Sequence, residues 1–299
     1  MPALMAPLGS PAFIIVTSVY ARLAPRPDIA PWVESIWIQE DDRDARHHAF
    51  APTRVLPTGR TDLILHYRER FMERRRGVER LLPAVAVCGP WTAPAESWAT
   101  GRTGLVIVRF RPWGLAAFLR QPTHALADRA VDLAELIAPQ EARALEQRAH
   151  EAPGLHERVQ AVTAHLARRL AGARSDPVVE EAVGRIVASG GTLSMGWLAE
   201  ELGLSRRQLA RRFRARVGLG PKRLSEVVRF QRAVQLRRSG LQGSAAAARC
   251  GFSDQSHMLR SFKAFAGLSF ERFPLASETG PGRYYNGTGA SHSSYTIYA

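Results

Sequence analysis

Arg207 and Arg211 stand four residues apart, a spacing that puts both on one face of a helix. A guanidinium can grip guanine O6 and N7 with two hydrogen bonds, so such a face suits the major groove of duplex DNA. About fifty residues on, Gln255 has the amide that can read adenine and Arg260 the fork that can read guanine. Lys263, a compact point charge, is better suited to holding a phosphate. Around the first pair the field is strongly basic: Leu204 to Arg238 contains twelve Lys and Arg residues and one acid, Glu226. A field of that sign draws polyanions, of which nucleic acid is the common one.

These side chains belong to a repeated element. Leu198 to Pro221 reads LAEELGLSRRQLARRFRARVGLGP, and Ala245 to Phe270 reads AAAARCGFSDQSHMLRSFKAFAGLSF. Gly203 matches Gly251, Ser205 matches Ser253, Arg211 matches Arg260, Phe213 matches Phe262 and Gly218 matches Gly267. The offset grows from 48 at the first glycine to 49 at the phenylalanine, so the second copy has one extra residue. In each copy a short helix meets a glycine that can take the positive φ of a tight turn. A capping residue then opens a second helix, Ser205 in the first copy and Ser253 or Asp254 in the second. Leu209 and Phe213, like Met258, Phe262 and Phe265, face inward. That leaves Ser205, Arg206, Arg207, Gln208 and Arg211 for the groove in the first copy. In the second copy Ser253, Asp254, Gln255, Ser256, His257, Arg260 and Lys263 remain, with His257 placed either on DNA or on the helix surface. Between the copies, Gly220-Pro221 opens a helix that runs to about Arg238. At 1.5 Å per residue it spans roughly 28 Å, a rigid spacer able to set two reading helices about one DNA turn apart.

With these strings in hand, residues Pro177 to Phe273 resemble the AraC/XylS family of bacterial transcription regulators. The most specific stretch is CGFSDQSHMLRSFK, Cys250 to Lys263. The resemblance implies two reading helices in successive major grooves. Arg207 and Arg211 would read bases from the first, and Gln255, Ser256 and Arg260 from the second. It also implies a ligand-binding or dimerising N-terminal domain, with activation through RNA polymerase as the commoner mode and repression as the other. One departure is visible: the family usually has a proline after the second unit, as at Pro221 after the first, and here Phe270 stands there.

The chain has 299 residues, enough for two domains, and a formal charge of +14. From Asp176 onward 18 basic residues face 9 acidic ones. Residues 1–175 read as a β-rich sensory or dimerisation domain with helices after about residue 112. Residues 176–275 read as the all-α tandem helix-turn-helix, and 276–299, rich in Gly, Ser and Tyr, as a disordered tail. The fold class is therefore α+β, with an N-terminal antiparallel sandwich or barrel. Strands are expected over Phe13–Tyr20, Val33–Gln39, Thr61–Tyr67, Ala84–Cys88 and Gly104–Phe110, with a loop from His47 to Arg60. Helices are expected at Trp113–Arg120, Asp132–Ile137 and Pro139–Ala149. A further helix presents Leu155, Val159, Val162, Leu166 and Leu170 as one stripe, which either packs on its own domain or pairs two copies into a homodimer. Gly172 to Pro177 is the linker, with Ser175 or Asp176 capping the helix that follows.

The stretches VLPTGRTDLILHY (55–67), VCGPWTAPAESW (87–98) and VRFRPWGLAAFL (108–119) resemble the sensory domain of a poorly characterised AraC subgroup. Five of the six tryptophans lie in this part, either as core or as the lining of a small-molecule effector pocket. No HxH or CxxC string offers convergent metal ligands, and no Walker-type or GxSxG string offers catalysis. Cys88 lacks the Pro-Cys-His-Arg context of AraC-linked repair methyltransferases. Two cysteines amid apolar neighbours and no long apolar run point to a cytoplasmic protein without metal, cofactor or membrane. Its expected partner is double-stranded DNA, bound sequence-specifically. The competing expectation is a nonspecific architectural or repair-associated DNA binder.

Overall fold

A computed structural model describes residues 18–47 and 52–275. The start of the first expected strand and the expected tail lie outside those residues. The β-rich part holds two antiparallel sheets. One has six strands in the order β1 (Ser18–Leu23), β2 (Val33–Asp41), β9 (Thr103–Phe110), β4 (Thr61–His66), β7 (Val85–Cys88), β10 (Ala130–Asp132). The other has four: β3 (Thr53–Val55), β8 (Ala95–Ala99), β5 (Phe71–Arg75), β6 (Val78–Leu81).

Alternation assigns each face of the larger sheet a different neighbour. Ile64, Ala86, Cys88, Leu105 and Ile107 meet Val55, Phe71 and Ala95 of the smaller sheet. Leu63, Leu65, Val106 and Val108 point the other way, to α1 (Gly114–Leu119), α2 (Pro139–Glu151) and α3 (Leu155–Leu170). With apolar cover on both faces, β4, β7 and β9 are buried along their whole length and read as continuous apolar runs. Across the middle of the sheet Arg109 donates to Asp62 at 3.0 and 3.2 Å, both side chains buried and mutually satisfied.

Two expectations for this part change. The α3 stripe is core: Val162 and Leu166 are fully buried against the sheet, so it is not a free dimer face. Residues 132–137 do not form an α-helix. Ala130–Asp132 adds an edge strand, and Asp132 then caps a single 3-10 turn over Leu133–Glu135 by accepting from the Ala134 N–H at 2.9 Å. Within the expected 47–60 loop, Thr53–Val55 pairs with β8.

The helical part follows: α4 (Pro177–Ala188), α5 (Met195–Glu201), α6 (Arg206–Val217), α7 (Pro221–Arg238), α8 (Gly243–Arg249) and α9 (Gln255–Ala266). Two cores flank α7. Val179, Ile186, Leu198, Leu209, Phe213 and Val217 close the first around Leu224. Met258, Phe262 and Phe265 close the second around Val227, Phe230 and Val234. Phe270, at the position of the expected proline, is buried with its ring edge-on to Phe262 at 5.1 Å, and Phe273 packs on the same ring. The departure therefore extends the core of the second unit.

Candidate nucleic-acid interface

The repeat seen in sequence is a repeat in hydrogen bonding. In the first unit Gly203 takes φ +64°, its N–H donates to Glu200 O at 3.0 Å, and the Leu204 N–H reaches Ala199 O at 2.9 Å. In the second, Gly251 takes φ +67°, its N–H donates to Ala248 O at 3.2 Å, and the Phe252 N–H reaches Ala247 O at 3.1 Å. Both turns close the same orphan carbonyls with the same offsets.

Each reading helix starts from a built cap. Ser205 Oγ accepts from the Gln208 N–H at 3.2 Å, and the Ser205 N–H donates back to Gln208 Oε1 at 2.8 Å, a complete capping box. At α9 Asp254 accepts from the His257 N–H at 2.6 Å and from Ser253 Oγ at 3.0 Å. Those bonds, first from the backbone and then from the hydroxyl, hold the Asp254 carboxyl below its ordinary range. The His257 ring stands edge-on to Phe252 at 5.3 Å, and its Nδ1 lies 3.2 Å from Ser253 Oγ.

The twelve residues expected at the groove therefore divide. Ser205, Gln208, Ser253, Asp254 and His257 are engaged in starting the two helices. Arg207 and Arg211 on α6, and Gln255, Ser256, Arg260 and Lys263 on α9, are all exposed. Among the described residues no acid lies within ion-pair distance of Arg207, Arg211, Arg260 or Lys263. Arg206 is exposed but lies over Gly196, where a Cβ would strike its Nη2. Arg212, on the flank of α6, is engaged elsewhere: it donates to Asp176 at 2.6 and 3.1 Å. Burial alone would raise the Asp176 carboxyl. The Arg212 bonds and the Val179 N–H that it caps at 3.2 Å overcome that and lower it. Sequence reading did not single out Trp197, a half-exposed ring on α5 with the Arg185 guanidinium 6.0 Å from its centre. A tryptophan in an otherwise polar short helix was the available signal.

A second set of groups lies between the two sheets. Gln39 and His66 flank Leu105 on the face turned to the smaller sheet. The His66 Nδ1–H donates to Pro83 O at 3.1 Å, which leaves Nε2 as a bare acceptor. Burial pushes the His66 pKa down to about 4, so the ring is neutral at pH 7. Neither amide atom of Gln39 nor His66 Nε2 has a hydrogen-bond partner among the described residues. Unpaired buried polar groups of this kind cost ~1–3 kcal/mol each. Of the tryptophans, Trp32 and Trp91 are buried, each in a core cluster.

Residues 198–274 match the family described as "Helix-turn-helix domain", and residues 21–132 match a "Domain of unknown function (DUF6597)". No curated protein matches the chain. Among solved structures, an AraC-type DNA-binding domain-containing transcriptional regulator from Chromobacterium violaceum is 29% identical; the match covers 32% of this chain and 87% of that one, with a TM-score of 0.30. The C-terminal domain of AraT, a response regulator from Geobacillus stearothermophilus, is 26% identical, with coverage of 38% and 98% and a TM-score of 0.33. ToxT from Vibrio cholerae is 11% identical over 90% of this chain and 96% of its own, with a TM-score of 0.39.

Proposed function

Given that the chain is an AraC-family regulator with a helix-turn-helix DNA-binding domain at its C-terminal end, we propose that it reads one specific operator with both helices and is switched by a small effector bound in residues 1–175. Residues 176–275 act as the DNA-binding domain. The observation that carries the operator reading is the duplicated turn: two units with the same hydrogen bonds, each offering basic side chains free of ion pairs. Arg207 and Arg211 read bases in one groove, Gln255, Ser256 and Arg260 in the next, and Lys263 holds phosphate. The cap residues Ser205, Gln208, Ser253, Asp254 and His257 fix where those side chains begin. Arg206 supports the first helix from the side.

The unpaired Gln39 amide and His66 Nε2 support a polar effector between the sheets, one that donates a hydrogen bond to His66. The protein works by binding, in the cytoplasm, and activates transcription through RNA polymerase. If two copies pair, they use a surface other than the buried α3 stripe. Hydroxyl-radical footprinting on a selected operator tests the reading. Two protected patches centred about one helical turn, ~34 Å, apart are expected. A single patch, or uniform weak protection, would contradict it.

A further inference from the structure

The six residues between β7 and β8, Gly89-Pro90-Trp91-Thr92-Ala93-Pro94, touch both reading helices and the spacer between them. Pro90 lies against Gly218, the left-handed residue (φ +82°) that ends α6; a Cβ there would come within 3.1 Å of the proline Cγ. Pro94 lies in the same way against Gly267 (φ +72°), which ends α9, with 3.2 Å to its Cγ. These two glycines are equivalent positions of the repeat. Between them, Thr92 O accepts from Arg223 Nη2 at 3.0 Å, and Arg223 stacks over the Phe265 ring of α9 at 4.4 Å. Neighbouring donors complete the hold on the helix ends. The Thr123 N–H reaches Ala215 O at 3.1 Å, and Arg54 Nη1 reaches Ala266 O at 2.9 Å. Last-turn carbonyls have no partner within their own helix, so they are natural attachment points.

The odd-numbered side chain between the two prolines points the other way. Trp91 is buried in the cluster between the sheets, with the Arg75 guanidinium 3.4 Å above its ring. Arg75 Nη1 also donates to Ala93 O at 3.0 Å, while Asp128 accepts from the Thr92 N–H at 2.7 Å and from its hydroxyl at 2.5 Å. The loop is thus fixed at its root inside the sandwich and bears on the DNA-reading part at Gly218, Arg223 and Gly267. Leu105, which separates Gln39 from His66, belongs to the same apolar cluster as Trp91.

We propose that this loop is a strut that sets the placement of the two reading helices relative to each other, with Trp91 as the point through which a change between the sheets reaches both at once. The inference rests on the operator and effector reading above, and specifies its regulation. Coupling of this kind requires one element that both sites bias, and the loop touches both.

The test uses the full chain with spin labels at R214C and A264C, exposed positions on α6 and α9; the native Cys88 and Cys250 are buried. The wild-type background should give one narrow inter-label distance. P90G/P94G, with folding verified by circular dichroism, should broaden it or add a second population, and specific DNA affinity should fall about tenfold as the two units lose mutual placement. Arg223→Leu removes the Thr92 bond while leaving the loop sequence intact, and it should move both readouts in the same direction. An unchanged distance distribution in both variants overturns the strut. A broadened distribution with unchanged DNA affinity overturns its role in reading. Because the distance is measured without DNA, a failure of the operator reading itself shows separately, as absence of specific binding by the unsubstituted chain.

Discussion

Leu56 sits in a loop of the β-rich part, yet its side chain is 1% exposed and belongs to the core of the second helix-turn-helix unit, with Val227, Phe230 and Phe265. The contact is closed around it. Gln231 Nε2 donates to Pro57 O, and a Cβ on Gly59 would strike Leu224 Cδ1 at 2.6 Å. Leu56→Ala removes three carbon centres worth roughly 0.8 kcal/mol each, about 2.4 kcal/mol of transfer free energy. The space left among the fixed rings raises the loss to about 3–4 kcal/mol. Because Leu56 joins two parts of the chain, the loss falls on their docking first. Hydrogen exchange followed by mass spectrometry should show protection dropping through α7 to α9 (221–266), while β4 and β9 stay protected. Urea unfolding of the wild type should be one transition, and that of the variant should separate into two. A loss under about 0.5 kcal/mol with unchanged exchange in α7–α9 would refute the reasoning and mean that the two parts are not energetically joined through this side chain.

Further outcomes follow from the same geometry. Arg211→Ala and Arg260→Ala should each weaken specific binding by ~1–3 kcal/mol and random-duplex binding little, as read by fluorescence anisotropy; equal losses on both duplexes would make them phosphate contacts. Asp254→Ala removes the α9 cap and should lower thermal stability by about 1 kcal/mol, whereas Asp254→Asn should cost less because it keeps the acceptor. Stability should fall as pH drops from about 6.5 toward 4. The folded chain keeps His66 neutral, with a pKa of about 4, while the unfolded chain protonates it near its ordinary 6.5, so protons favour unfolding in that window. His66 alone should account for about 2 kcal/mol between pH 7 and pH 5, with buried His165 adding in the same direction. Urea midpoints at the two pH values measure it, and a flat profile would contradict the buried neutral ring.

The reading helices were legible because their determinants are local. The glycine turn, the cap two residues later and the i, i+4 pairing of side chains all lie within one short window. The long apolar runs of β4, β7 and β9 were legible for the same reason. β5 and β6 were not. Their run FMERR…VERL is dense in charge, and it is the cross-strand pairs Arg74–Glu79 at 2.6 Å and Arg80–Glu73 at 2.8 Å that make it a ladder. The α3 stripe could not be assigned from periodicity, since a buried face and a dimer face carry the same pattern. The contacts of Leu56, Pro90 and Pro94 depend on two parts of the chain meeting. Their only trace in sequence was an apolar residue in a Pro- and Gly-rich loop, and a tryptophan flanked by prolines.

The central claim is that the two units together read one DNA sequence. Selection of genomic fragments by the purified chain at about 0.15 M salt, with and without cell extract to supply effector, tests it most directly. One or a few intergenic fragments should be enriched, preferred over random duplex by ~10³-fold or more, and that preference should vanish in the Arg211→Ala/Arg260→Ala double variant. Uniform recovery of fragments under both conditions, or enrichment that survives the double variant, would contradict it.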